Sequence, residues 1–498
     1  MVSQLPARLR TSLFVCGSVL ALCSCATGGD QKPMSVIPDM AAIQAGTNTT
    51  QAAQAATQAA APADWWSIYG DPQLDQLLGA ALDEAPSMTL AAARIRRAQA
   101  EYGVVAADKA LQITGSAKAL EEHFPDHYTY PSPYAGEGGS EGGLSLDARY
   151  SIDFWGKRRE AVAAASQRVE VTRAEAADAK LLLQTEVVQA YIQLDAAYKV
   201  RDIAAAAIKL RGDTISLLNI RAKAGLSTDL DAISAREAIT DTRSEVARLD
   251  GEIGRRRNQI AALIGKDPAF GEKLSRPKLA MIADPAPLSA IPATLLGYRH
   301  DVEVQRATVE AAAHEIGVAK ASFYPDVDIT AFAGLESLDI GFLLRPASAA
   351  LGIGPAITLP IFDGGRLRSN LQRRDSEYDA AVSAYNNTIA TALQQVADAI
   401  VTLQSERARA LQSDEAVQHW QRVVNLQKIR TQHGLSDSVD LTASQLAMLM
   451  SQRHATEAAA NIAVAQTTLV RALGGAWSPS SNSPAGRAAP ALTISQRP

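Results

Sequence analysis

The feature that most constrains this chain is a repeat. Residues 217–231 read LLNIRAKAGLSTDLD, and residues 426–440 read LQKIRTQHGLSDSVD. Ile220, Arg221, Gly225, Leu226, Ser227 and Asp231 recur as Ile429, Arg430, Gly434, Leu435, Ser436 and Asp440, each 209 positions later. The same displacement carries Gly156 onto Gly365 and Gly265 onto Gly474, and Val187, Ala190 and Leu194 onto Val396, Ala399 and Leu403. One offset shared by three glycines and a hexad marks a tandem duplication. Whatever one half folds into, the other half must fold into as well.

Each half reads in the same order. A helical segment (about 70–110, and about 290–322) is followed by two strand candidates with a loop between them. Gly156 or Gly365 then opens a stretch without proline that runs to Ala224 or His433. At 1.5 Å per residue each such stretch makes a helix of about 100 Å. Leu183, Val187, Tyr191, Leu194 and Tyr198 give it an apolar stripe at helical spacing. Gly225 and Gly434 stand where a left-handed cap ends a helix, and a further helix follows. Aromatic residues are only 5% of the chain, with Ala supplying much of its 47% hydrophobic content, which suits long helices at close range better than a conventional core.

The strands break that pattern. LSLDARYSIDF (144–154) alternates strictly, with Leu144, Leu146, Ala148, Tyr150, Ile152 and Phe154 on one face and polar residues on the other. Residues 111–120, 326–334 and 351–362 alternate in the same way, each near the 9–11 residues that cross a bilayer as a tilted strand. Trp155, Phe323, Tyr324 and Phe362 at their inner ends suit an interfacial aromatic girdle. Lys157, Arg158, Arg159, Arg366 and Arg368 follow at once, as headgroup contacts or as solvated helix starts. A spanning sheet can leave no open edge in lipid, and four strands are too few to close a barrel. Spanning strands therefore require an oligomer.

The ends of the chain complete the plan. Arg8 and Arg10 precede the apolar run LFVCGSVLAL (13–22), which reads as a signal peptide over residues 1–24. The Leu22-Cys23-Ser24-Cys25 that follows resembles a bacterial lipobox, with Cys25 as the lipidated residue. All three cysteines then lie at or before the anchor, so no thiol remains for disulfide, metal or nucleophilic chemistry. Residues 25–63 read as a flexible tether, 64–275 and 276–476 as the two repeats, and 477–498 as a disordered tail. Net charge is −5 with no dense basic patch, which argues against a nucleic-acid partner.

These residues resemble the TolC family of outer-membrane efflux channels, in particular its NodT-like lipoprotein branch, over residues 64–475. The carriers are WWSIYGDPQLDQLL (65–78), YSIDFWGKRR (150–159), IGVAKASFYPDVDIT (316–330), LPIFDGGRLRSN (359–370) and RALGGAW (471–477). The resemblance implies a mainly α fold with a small β part: a homotrimer sharing a twelve-stranded outer-membrane barrel, continued through the periplasm by an α-barrel of the duplicated helices. It also implies docking to a periplasmic adaptor (membrane fusion) protein and an inner-membrane pump of the resistance–nodulation–division type, with small molecules as cargo and outer-membrane lipid around the barrel. Ala26 after the lipidated cysteine fits outer-membrane sorting. Where many members open the second half with Arg-Arg-Pro-Asp, this chain has Tyr298-Arg299-His300-Asp301, read as local variation.

A channel needs a gate, and the family closes its periplasmic tip with inward-turned helices lined by acidic residues. The junctions after Gly225 and Gly434 carry Asp229 and Asp231, and Asp437 and Asp440. Asp440 matches one aperture position by its spacing from Gly434, while the next acidic position is Ala443. Thr228-x-x-Asp231 and Asp437-x-x-Asp440 also fit helix capping, and the two roles are compatible. His123 and His127 have zinc spacing, but Pro125 between them argues against a helical site. Gly136-Glu-Gly-Gly-Ser-Glu-Gly-Gly reads as a flexible loop tip. No catalytic signature or cofactor motif appears, so the expectation is a non-enzyme without cofactor. The rival readings are a protein-secretion duct and a non-conducting lipoprotein scaffold.

Overall fold

The computed structural model describes residue 34 and residues 64–475, apart from 281–298 and residues 128, 131 and 227. The signal peptide, Cys25, almost all of the tether, the start of the second repeat and the tail lie outside the described residues.

A short 3-10 turn, Trp65–Tyr69, precedes α1 (Pro72–Glu84) and α2 (Pro86–Ala107). Strands β1 (Gln112–His123) and β2 (Gly138–Ile152) lead into α3 (Lys157–Lys223), α4 (Asp229–Leu263) and the short α5 (Pro268–Glu272). The second half runs α6 (His300–Ala321), β3 (Asp326–Ser337), β4 (Ala349–Thr358), α7 (Arg366–Gln432) and α8 (Ser438–Ala472). Helices α3 and α7 each have 67 residues, and α4 and α8 each have 35. Every boundary of the first pair recurs 209 residues later in the second. No described helix is long and apolar enough to cross a membrane.

Local chemistry sets these boundaries. Gly225 and Gly434 have φ of 71° and 70°, which side chains with a Cβ rarely adopt. Leu226 N–H donates to Arg221 O at 2.8 Å and Gly225 N–H to Ala222 O at 3.0 Å, and Leu435 and Gly434 repeat the pair on Arg430 and Thr431. This Schellman arrangement satisfies carbonyls that the helix end leaves free. Gly156 and Gly365, at φ 79° and 88°, turn the chain from strand into long helix. Asp153 accepts from the N–H groups of Arg158 and Arg159 at the first of these turns, and Asp363 from Gly365 and Leu367 at the second. Hydrogen bonds from the Leu367 and Gly365 N–H groups hold the Asp363 carboxyl below its ordinary range.

Within the described residues the chain forms two compact units. One comprises Ile95–Thr172 and Gln305–Tyr385 with Met34; the other holds the remainder. In the first, Phe323 and Tyr378 pack on Ile316, Ala319 and Leu371. In the second, Val187, Ala190 and Leu194 on α3 and their α7 counterparts Val396, Ala399 and Leu403 are buried, as is Tyr191. Val200, Ala204 and Leu249 form a further cluster with Val246.

Three sequence expectations need correction. The helical segment at 70–110 is two helices, because Pro86 forces Ala85 into an extended conformation (ψ 134°). The glycine-rich stretch is not a loop tip from residue 138 onward: Gly138–Gly143 pair with Lys118–His123 as the outer part of the β1–β2 ladder. Strand β4 stops at Thr358, so Leu359 and Ile361 lie beyond it, where Pro360 cannot continue a ladder.

Candidate functional site

The four strands form one antiparallel sheet in the order β1-β2-β3-β4, so the two halves meet along the β2–β3 ladder. Its register aligns the alternation of every strand. Ile113 faces Ala148, Leu144 faces Leu335, Tyr150 faces Ile329, and Ala331 faces Ile353. Because side chains alternate between faces, one face of the sheet is apolar over most of its length, with Glu121, His123, Ser140 and Ser337 on it at the outer end. It is not covered within the chain: Leu351 and Ile353 are each 80% exposed and Leu146 60%.

The opposite face is polar and cross-linked between strands. Ser116 and Ser145 hydroxyls lie 2.9 Å apart, and Ser145 donates to Asp147 at 2.5 Å. Lys118 pairs with Glu141 at 2.6 Å. Buried Asp328 accepts from both Arg149 and Ser151. At the helix end of the sheet, Asp326 accepts from Lys157 (2.8 Å) and Arg158 (3.3 Å). Two of the expected headgroup contacts are thus engaged by a strand carboxylate, whereas Arg366 and Arg368 are exposed. Periodicity shows that Arg149, Asp326 and Asp328 share the polar parity, but not which partners they take.

The aromatic residues divide likewise. Trp155 stacks on Tyr324 (centroids 4.7 Å, planes 18° apart) and donates its indole N–H to Pro325 O at 3.0 Å, while both rings stay half exposed. Phe362 is 92% exposed. Phe323 instead turns onto the Ile316–Leu371 cluster.

The helix junctions differ from each other. After Gly225, Thr228 is the N-cap of α4 in a capping box with Asp231, whose Oδ2 accepts from the Thr228 N–H at 3.0 Å. Asp229 is exposed in the first turn, where the positive helix end favours a carboxylate. After Gly434, Asp437 caps α8 by accepting from Val439 N–H at 3.0 Å and also pairs with Arg221 at the end of α3. Asp440 takes a bond from Ser436 (2.9 Å) rather than closing a reciprocal box. Around them Leu226, Leu230, Leu435 and Ile429 are exposed.

Two buried polar clasps were not legible as sites. Asp71 accepts from Tyr191 OH (2.7 Å), Lys278 N–H (2.7 Å) and Gln73 N–H (3.0 Å), which fixes the GDPQLD motif against α3. Burial and the bond to Asp71 push the Tyr191 hydroxyl well up. Tyr69, buried in the same region beside Thr467, is raised by burial to about 12. Arg299 is the second clasp. It donates to Ala472 O (2.8 Å), Gln395 Oε1 (2.7 Å) and both Asp301 oxygens (3.0 and 2.6 Å). A lone arginine before a helix carries no sequence signal that its partners lie 96 and 173 residues away.

Among the described residues no cluster of His, Cys, Asp and Glu could hold a metal.

Comparison with known proteins gives a consistent picture. The family described as "Outer membrane efflux protein" matches residues 77–266 and 291–475. The fusaric acid resistance protein FusA of Burkholderia cepacia is 37% identical over 372 residues, 74% of this chain and 70% of that protein. The multidrug resistance outer membrane protein MdtP of Escherichia coli is 28% identical over 430 residues, 83% of this chain and 86% of that one. The crystal structure of the outer membrane protein VceC of Vibrio cholerae superposes with a TM-score of 0.75 at 32% identity, covering 83% of this chain and 98% of VceC.

Proposed function

We infer what this protein does from one premise: the chain belongs to the outer membrane efflux protein family. It is an outer-membrane efflux channel. The observation that carries this reading to a mechanism is the sheet-wide separation of an uncovered apolar face from a cross-linked polar one. In a barrel, that separation turns the apolar face to lipid and the polar face to water.

The four-stranded sheet has two open edges, β1 and β4, which lipid does not tolerate. Three copies joined edge to edge close a twelve-stranded barrel, and the paired long helices of each copy continue the duct through the periplasm. Cys25 carries the lipid anchor. A periplasmic adaptor and an inner-membrane pump of the resistance–nodulation–division type supply the cargo, which we place among small toxic organic molecules, as the names FusA and MdtP indicate for those relatives. The exposed tips after Gly225 and Gly434 form the periplasmic gate, with Asp231 and Asp440 toward the aperture beside Asp229 and Asp437. Capping and pore lining coexist there, because a capping carboxylate keeps lone pairs for water and ions.

Single-channel recording in planar bilayers tests this reading. Wild-type protein is expected to give small cation-selective openings, and Asp231→Ala/Asp440→Ala wider or less selective ones. Unchanged openings in the double variant would reduce the aspartates to caps. No openings from confirmed oligomers would leave a non-conducting scaffold.

A further inference from the structure

At the end of the sheet away from the helices, the two hairpin connections are sorted to opposite faces. Phe124, the residue after β1, is completely buried. Its ring centre lies 4.5 Å from that of Tyr130 and 6.2 Å from that of Tyr134. Phe124 N–H donates to Glu137 O at 2.9 Å, and Gly136 N–H to Phe124 O at 3.0 Å, so the connection is folded on itself.

Where this aromatic cluster sits follows from parity. The Phe124 ring lies against Gly139, where a Cβ would come within 2.7 Å of Cε2. Residue 139 belongs to the odd set of β2, with Asp147, Arg149 and Ser151, which is the polar face. Tyr130 reaches the same face independently, its hydroxyl 3.5 Å from Glu122 Oε1, and Glu122 is the ladder partner of Gly139. The β3–β4 connection goes the other way. Leu343 and Ile340 lie over Gly142, at 3.0 and 3.3 Å from the position of a Cβ, and residue 142 has the parity of Leu144 and Leu146. Ile340 N–H donates to Ser140 Oγ on that side at 3.2 Å. The glycines thus make room for a ring on one face and an aliphatic pair on the other.

We propose that the β1–β2 loop, held over the polar face by the Phe124 wedge, narrows the extracellular mouth of the channel and sets the largest solute it passes. The inference rests on the reading above that the polar face lines the lumen. Phe124 acts as a positioning residue: it touches no cargo but holds Tyr130, Tyr134 and the loop backbone above the opening. The outward-folded Leu343 is the internal control, because its loop stands outside the water path.

Full-length protein in planar bilayers provides the test, with neutral polyethylene glycols of graded size as probes. Phe124→Ala and Gly139→Ala are expected to raise single-channel conductance about twofold and to admit larger glycols, with Leu343→Ala unchanged. Wild-type conductance and size cut-off in both polar-face variants would overturn the proposal. If those variants do not assemble, Ser132→Cys keeps it open to refutation, since Ser132 is exposed on the loop and the native cysteines all precede residue 26. A bulky thiol reagent added from the extracellular side should then reduce the current, and an unaltered current would overturn the proposal. Wild-type protein that conducts while failing this test sinks only the constriction, whereas wild-type protein that never conducts sinks the duct reading with it.

Discussion

The two halves of the chain repeat the same pair of long helices and close them differently. Helix α4 ends at Leu263 and α8 at Ala472, equivalent positions followed by the equivalent glycines Gly265 and Gly474. In the first half the end of α4 is closed by contact. A Cβ on Gly265 would lie 2.6 Å from Pro86 Cδ and 3.2 Å from Glu84 O, and Lys266 pairs with Glu84. In the second half the α8 end is closed by charge, with Arg299 donating to the Ala472 carbonyl where the helix dipole is negative. Arg299 keeps the second arginine of the Arg-Arg-Pro-Asp motif, from which this chain departs only at Tyr298 and His300. It is a clasp that the equivalent position of the first half, Leu90, does not repeat.

The helix starts diverge in the same sense. Lys157 and Arg158 are drawn onto Asp326, while Arg366 and Arg368 stay exposed beside Phe362. Duplication thus preserved what the backbone dictates, namely helix length and glycine conformation. It let the side chains that join each helix to its neighbours drift, because those depend on what each half packs against.

The largest effect should come from the clasp. Arg299→Ala leaves Asp301 and the Ala472 carbonyl without their main partner and is expected to cost about 3 kcal/mol, read as a lower thermal midpoint in detergent. Burial acts to raise the Asp301 carboxyl, but bonds from Arg299 and Val302 N–H outweigh it and the group ends below its ordinary value. Such a group stabilises the fold above the unfolded-state pKa, and that increment is lost as pH falls from about 4 through the folded-state value. In Arg299→Ala the acid-labile increment should vanish. A variant as stable and as acid-sensitive as wild type would erase the contrast between the halves.

Gly265→Ala probes the contact-closed half and should cost about 2 kcal/mol, from the left-handed φ of 75° together with the collision with Pro86. Restoration by a second substitution, Pro86→Ala, would show that contact contributes beyond backbone conformation. The smallest effects belong where the halves agree. Gly225→Ala and Gly434→Ala meet open space and should each cost about 1 kcal/mol, equal within error in the same melting assay. Unequal costs would mean that the differing N-caps or the Arg221–Asp437 pair weigh on the junctions beyond their shared glycine cap.

Much of the architecture was readable in advance because its causes are local. The period of LSLDARYSIDF makes it a two-faced strand wherever it sits, and the proline-free stretches after Gly156 and Gly365 let a helix run without interruption. Glycines at φ near 70° stop both long helices, so Lys223 and Gln432 end them at equivalent places. The glycine-rich stretch misled for a related reason: without its neighbours it looks like a loop, although Gly139 and Gly142 are strand positions kept small for a ring and an aliphatic pair.

The amino-acid sequence by itself determined the duplication, the faces of the strands, the lengths of the helices and where they stop. Each follows from φ preferences and hydrophobic period within a few residues. Only the tertiary structure decided that the two hairpins share one sheet, that Phe124 lies over its polar face and Leu343 over its apolar face, and that Arg299 closes α8. Those contacts join residues up to 201 positions apart, as Leu343 and Gly142 are, a separation over which no local period carries information about the partner.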